Sequence, residues 1–323
     1  MRDVRQHRDA RRRLIDTAEG THADAFTARD WAFLLAPGFI WGASFYFIAE
    51  GLRSFSPYLI APMRIGFGFL ALALFRGTRQ HVDRADLPRI VLLGVFWMAL
   101  PLTFFPLAEQ RVSSSVAGML NGAIPLFVAA VASVLLRRIP GRYQLLGLAV
   151  GFVGIVLIGA PTLGEGRSSV VGVLLILAAV SCYGIAINLA VPLQQRYGSL
   201  PVLWRAQATA LVLTAPLGVA TIGDAHFLWG PFLAIAALGV LGTGVAYYLS
   251  ASLGGRVGAT RSSITAFIIP AVAVALGAAV LDERVHAIAV GGCVVVLAGA
   301  WIAGRADRAV IDPAVVAPAV GER

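Results

Sequence analysis

The chain has 323 residues, 58% of them hydrophobic and only 13% charged, with a mean hydropathy of +0.80. Soluble domains carry about 25% charged residues, so this composition excludes a fold that turns its surface to water and requires lipid as the solvent. The net charge is +9 and all 26 basic residues are arginine, but they sit in short breaks between apolar runs, which argues against a nucleic-acid surface.

Residues 1–30 hold seven arginines, including Arg11-Arg12-Arg13, followed by polar residues such as Asp16, Glu19, Asp24 and Asp30. That pattern lacks the apolar core of a signal peptide and reads as a solvated cytoplasmic tail. The first apolar run opens at Trp31. A helix needs about 20 apolar residues to cross about 30 Å of hydrocarbon. Ten runs qualify: 31–51, 57–75, 87–107, 112–136, 143–160, 170–192, 200–222, 229–250, 259–281 and 286–304. They are continuous rather than alternating, which excludes a β-barrel. The predicted fold is all-α, a polytopic membrane protein of ten spans, ending in a second tail at 305–323. Cys182 and Cys293 lie inside spans with no second cysteine nearby, so neither a disulfide framework nor a metal or other cofactor is expected.

The chain repeats itself. Residues 112–154 and 257–299 align without a gap at an offset of 145, and Val112, Ile124, Pro125, Ala130, Leu136, Gly147, Val150 and Gly154 recur as Val257, Ile269, Pro270, Ala275, Leu281, Gly292, Val295 and Gly299. The first spans match more loosely, Trp41-Gly42 against Tyr183-Gly184 and Met63-Arg64 against Trp204-Arg205. With the N-terminus inside, twenty arginines fall in inner segments, four in outer loops (Arg53, Arg111, Arg167 and Arg284) and two, Arg64 and Arg205, within spans. This positive-inside bias puts both termini in the cytoplasm. Five spans per half then insert the halves upside down relative to each other. Asp282-Glu283-Arg284 faces outside, whereas its partner loop, Arg137–Arg142, faces inside. Inverted five-span halves are an architecture of secondary transporters.

The motifs Trp41-Gly42-Ala43-Ser44-Phe45, Pro62-Met63-Arg64, Pro125, and Leu281-Asp282-Glu283-Arg284 with Gly292 and Gly299 resemble the drug/metabolite transporter (DMT) superfamily and its EamA-type domain, present twice, over 31–160 and 170–304. The resemblance implies a ten-helix inverted-repeat carrier, often an exporter of amino acids, other metabolites or drugs. One departure stands out: the first copy has Arg137-Arg138 where the family glutamate would follow span 4, leaving that glutamate only at Glu283.

Such a carrier holds its substrate near the midplane where the halves meet, and polar groups there need a partner or a cavity. The substrate-binding candidates are therefore Trp41, Ser44, Trp97, Asn121, Tyr183, Asn188, Tyr247 and Thr265. Asn121 leads them, being one turn before Pro125 with an amide that donates and accepts; its competing role is to bond across helices as packing glue. Pro125 and Pro270 each remove a backbone bond at matching mid-span places, which makes them hinge candidates. Glu50, Arg64, Glu109 and Arg205 are candidates for a charged gate or ion pair, with snorkelling to the near interface the simpler expectation for the two arginines. No Asp, Glu or His lies at a span centre. Gradient-driven movement of a neutral, zwitterionic or amphipathic small molecule is the expectation, not a buried proton relay.

Two other classes compete. A membrane-embedded enzyme would need HExxH, GxSxG, a central carboxylate pair or a Cys–His pair, and the sequence has none. A membrane assembly protein would use the GxxxG patterns at Gly38–Gly42, Gly118–Gly122 and Gly147–Gly151, which serve packing inside the bundle or a homodimer equally well. The reading taken forward is a small-molecule carrier of the inner membrane.

Overall fold

Ten apolar runs become ten helices in the computed structural model, which describes residues 17–21, 26–135, 141–163 and 167–305. Most of the N-terminal tail, the Arg137-Arg138 pair and the C-terminal tail beyond residue 305 lie outside the described residues. The helices are α1 Ala28–Gly51, α2 Pro57–Ala73, α3 Arg84–Glu109, α4 Ser114–Leu135, α5 Arg142–Leu163, α6 Arg167–Tyr197, α7 Ser199–Ala220, α8 Trp229–Val257, α9 Ala259–Val280 and α10 Ala287–Arg305. Nine are long and apolar enough to cross a bilayer, and α2 is a shorter apolar helix of 17 residues. Large apolar side chains such as Phe39, Leu70, Phe152, Val212 and Leu233 face outward, as lipid requires. The protein is an all-helical, multi-pass membrane protein.

Local chemistry sets the helix ends. α1 starts on a capping box: the Asp30 amide donates to the Thr27 hydroxyl, and the Thr27 amide donates to the Asp30 carboxylate. α6 and α8 run five and seven residues past their expected ends at 192 and 250. Gln194, Gln195 and Arg196 do not break a helix, whereas Gly198 and Gly258, at φ +76° and +85°, do.

The inverted repeat is visible as contacts that occur twice. α5 and α10 run antiparallel through a glycine seam. A Cβ on Gly147 would fall 2.5 Å from the Gly299 carbonyl oxygen, and one on Gly292 would fall 2.8 Å from that of Gly154. The offset of 145 carries the first pair onto the second. α2 packs on α8 where a Cβ on Gly239 would meet the Arg64 carbonyl oxygen at 2.7 Å, and α7 packs on α3 where one on Gly94 would meet that of Ala206 at 2.8 Å. Gly38 and Gly42 close on Ile268 and Val272, Gly118 and Gly122 on Ala273 and Pro270, and Gly151 on Leu126. All three GxxxG patterns therefore serve contacts inside the bundle.

Four spans depart from regular helix, in matching pairs. α3 and α8 carry π-helical stretches at Gly94–Ala99 and Leu238–Val245. α4 is interrupted between Asn121 and Ile124, and α9 passes through a 3-10 stretch at Ser263–Phe267. Both interruptions immediately precede the paired prolines, Pro125 and Pro270.

The two ends of the bundle are held differently. At the end that carries the N-terminus, Asp86 takes Arg196 at 2.9 Å and the Tyr197 hydroxyl at 2.6 Å. Residues 17–21 do not stay free of the bundle, as a solvated tail would. Thr17 Oγ1 donates to Asn188 Oδ1 at 3.2 Å, and Gln195 Nε2 donates to the Glu19 carbonyl at 2.8 Å. At the far end, the Glu283 carboxylate accepts from the backbone amides of Ser114 and Ser115 at 2.7 and 2.9 Å, and also from the Ser115 hydroxyl. It thereby ties the loop after α9 to the start of α4.

Candidate functional site

α1 brings Trp41, Ser44, Phe45 and Ile48 to one side, since positions three and four apart share a helix face. That face closes a cavity with Arg64 of α2, Trp97 and Phe105 of α3, Asn121 and Ile124 of α4, Tyr183 and Ile187 of α6, and Tyr247 of α8. Both repeats contribute. The space left for water is about 50 Å³, enough for only a few molecules at ~10–15 Å³ each. The cavity is narrow, and its own side chains fill most of it.

The π-helical stretches build its wall. A π turn shifts the backbone ladder and releases carbonyls, and such turns recur at functional sites. Trp41 Nε1 donates to the Gly242 carbonyl at 2.9 Å, and the Tyr247 hydroxyl donates to the Trp97 carbonyl at 2.9 Å. Trp97 and Gly242 are partners under the offset of 145, so the two released carbonyls are equivalent. Gln207 Nε2 takes the next one, Thr243 O, at 2.7 Å. The rings of Trp41 and Trp97 both stand edge-on to Tyr247, with centroids 5.3 and 5.4 Å away, an arrangement that suits aromatic quadrupoles. The polar tips of Trp41 and Tyr247 are thus spent on the frame, and their apolar bodies face the cavity.

Six of the eight substrate-binding candidates, Trp41, Ser44, Trp97, Asn121, Tyr183 and Tyr247, come together here. Ser44 returns its hydroxyl to the Ile40 carbonyl at 3.1 Å, whereas Asn121 Oδ1 is buried with no partner among the described residues. Asn188 is not in the lining. One residue past Ile187, it is turned about 100° around α6, and its Nδ2 donates to Val128 O at 3.0 Å and Gly184 O at 2.9 Å. Thr265 is also outside the lining; it lies buried in the 3-10 stretch of α9, with its hydroxyl unpartnered among the described residues. Pro125 and Pro270 sit just beyond the interruptions of α4 and α9.

The four charged candidates part ways. Arg205 reaches out of the bundle to the carbonyls of Thr78, Pro201 and Gln80 at 3.1, 3.0 and 2.9 Å. Glu50 pairs with Arg53 at 2.9 Å on an open groove at the far end. Glu109 ends α3 with both carboxylate oxygens buried and without a hydrogen-bond partner among the described residues. Arg64 overturns the expectation of snorkelling. It is 3% exposed, its Nε donates to Thr243 Oγ1 at 3.2 Å, and its guanidinium lines the cavity. The reason is the close α2–α8 approach at Gly239, which puts Arg64 on the inward face with no route to the interface. The cavity therefore carries a fixed positive charge, beside which a neutral, zwitterionic or amphipathic solute was the expectation.

Sequence reasoning missed Phe45, Ile48, Phe105, Ile124 and Ile187 in the lining, and the π-helical stretches altogether. The first two were readable from their spacing after Trp41. The glycines at 239, 242 and 244 of α8 were the one hint of unusual backbone there.

The geometry agrees with what the chain resembles. The EamA-like transporter family matches residues 31–160 and 170–305, one domain per repeat. An uncharacterized transporter of Archaeoglobus fulgidus is 25% identical over 86% of this chain and 99% of its own length. The uncharacterized inner membrane transporter YedA of Escherichia coli K12 is 28% identical over 79% and 84%. A probable terminal-alkyne amino-acid exporter of Streptantibioticus cattleyicolor is 26% identical over 85% and 93%. A solved structure of 16% identity superposes with a TM-score of 0.57, covering 85% of this chain and 96% of the other, which bears on the fold alone. With the match spanning both repeats, the chain belongs to the EamA-like transporter family, whose members are membrane transporters and not enzymes.

Proposed function

We propose that this transporter exports a small organic solute across the inner membrane by alternating access, with both termini in the cytoplasm. The observation that carries the reading is the narrow cavity at the junction of the inverted halves, walled by side chains from both. A site built from both inverted halves is reached from either side of the membrane when the halves rock against each other. The interruptions before Pro125 and Pro270 are the places where α4 and α9 bend most cheaply, because backbone bonds are already missing there. The excess of arginine in the inner segments supports the orientation. Export is favoured by the likeness to a relative named as a probable amino-acid exporter.

The test compares culture medium from cells carrying the protein with medium from cells carrying Asn121→Leu, both verified in the membrane. A metabolite enriched only by the unaltered protein supports export through this cavity. Identical media overturn the export reading.

A further inference from the structure

We propose that the cavity is built for a carboxylate: an organic anion or zwitterion whose carboxylate sits on Arg64, whose apolar body lies on the aromatic wall, and whose hydrogen-bond donor meets Asn121. The inference rests on the cavity being the transport site and names what it takes.

Three observations carry it. Arg64 is the one charged residue in the lining, and among the described residues it makes no ion pair. Its recorded hydrogen bond uses Nε alone, so the paired donors of the guanidinium edge remain for a ligand. The buried Glu109 carboxylate lies within electrostatic reach of Arg64 but makes no ion pair with it, and a guanidinium so held costs several kcal/mol unless a counter-charge sits directly on it. Asn121 Oδ1 is a second unspent group, a buried acceptor that no donor among the described residues meets. Finally, Gly242 keeps the guanidinium's surroundings open. A Cβ there would meet Leu238 Cδ1 at 3.1 Å and stand 3.4 Å from Ser44 Oγ and 3.8 Å from Arg64 Nη2, so any side chain at 242 would crowd the guanidinium.

The charge count selects the head group. A single guanidinium balances one negative charge, and its planar edge matches the two oxygens of a carboxylate. A phosphate dianion would bring a second charge that no cation in the lining meets. An organic cation would face Arg64 directly in a low-dielectric site, where like charges repel strongly. Trp41 and Tyr247 have spent their polar tips on the backbone, Ser44 returns its hydroxyl to Ile40, and the Tyr183 hydroxyl lies 3.4 Å from that of Tyr247; the rest of the wall is apolar, and this favours solutes with an apolar body over small inorganic anions.

The experiment uses the full-length protein in lipid vesicles loaded with a defined mixture: apolar-bodied amino, hydroxy and keto acids, with their matching amides and amines. Efflux is read by mass spectrometry against protein-free vesicles. The expected result is carboxylate efflux from the unaltered protein, with amides and amines retained. Arg64→Gln should lower that efflux on the order of a hundredfold, as loss of one partner of a buried pair implies. Arg64→Lys keeps the charge without the planar edge and should raise KM more than it changes kcat; it decides the question if Arg64→Gln does not fold. Efflux of amides or amines alone, or carboxylate efflux unchanged in both folded variants, overturns the carboxylate assignment and leaves transport standing. No efflux of any solute from the unaltered protein overturns the transport reading, and this proposal with it.

Discussion

Arg64 in α2 and Arg205 in α7 lie one position out of register in the two halves, since Gly239 meets the carbonyl of Arg64 where Gly94 meets that of Ala206, and the two arginines meet opposite surroundings. Arg205 lies near the loop of residues 76–80, whose carbonyls take up its donors. Arg64 has no such loop within reach and lines the cavity instead. The same divergence recurs at Asn121, whose partner under the offset of 145 is Ala266, and at Glu283, whose partner is Arg138. The glycine contacts behave differently: Gly147 with Gly299 and Gly292 with Gly154 are one contact made twice. Backbone approach leaves a duplicated fold little freedom, because any Cβ in the seam collides with main chain. Side chains beyond the seam can change in one copy alone, and a symmetric frame thereby holds an asymmetric site.

The comparison can be broken at its most constrained point. Gly292→Leu should destroy the bundle, since a Cβ there already meets the Gly154 carbonyl oxygen at 2.8 Å, whereas its neighbour Gly291 has nothing within 4 Å. Size-exclusion profiles in detergent should show the first aggregated and Gly291→Leu monodisperse; two normal profiles would mean that the α5–α10 seam is not as close as described.

The paired arginines give the next contrast, smaller in stability and larger in function. Arg205→Gln gives up three hydrogen bonds to carbonyls, partly exposed ones, for about 1–2 kcal/mol of stability at roughly 1 kcal/mol or less each. It should leave vesicle transport within about twofold, because the residue touches only the frame, an expectation that thermal unfolding and flux together check. Arg64→Gln should do the reverse, with flux lost and unfolding little changed or improved, since it removes an unpaired buried charge.

At the far end, Glu283→Gln keeps the shape of the tie to α4 and removes its charge. A carboxylate on helix N-terminal amides contributes up to ~2 kcal/mol, so hydrogen exchange at Ser114 and Ser115 should quicken by about 30-fold. Unchanged exchange would show that the tie does not hold the two halves together. The smallest effect is expected at Asn188→Ala, about 1–2 kcal/mol from the lost bonds to Val128 and Gly184 in the core and from Thr17, with transport of the remaining folded protein unaltered. A selective loss of transport there would move Asn188 into the site.

Much of the frame was legible. The ten spans are read from run length, because hydrocarbon demands about 20 apolar residues whatever the protein does. The inversion follows from an odd number of spans per half. Asn121 and Trp41 could be picked out because polar and aromatic groups in mid-span need a reason to be there. Asn188 looked the same by that criterion and proved to be an interhelical tie, since composition does not say which way a helix is rotated. The π-helical stretches were hidden for a related reason. They change which carbonyls are free without any residue type that marks them, apart from the glycines of α8.

The sequence by itself determined that the chain lives in lipid, how many times it crosses, that its halves are inverted copies, and where both break at proline. Those properties depend on hydrophobicity summed over long runs and on a register that repeats, and neither needs coordinates. Only the tertiary structure decided which polar residues face one another. Whether Arg64 turns to the interface or to the cavity depends on the rotation of α2 against α8, fixed by the close approach at Gly239. That contact lies 175 residues away along the chain, and no local pattern around Arg64 encodes it.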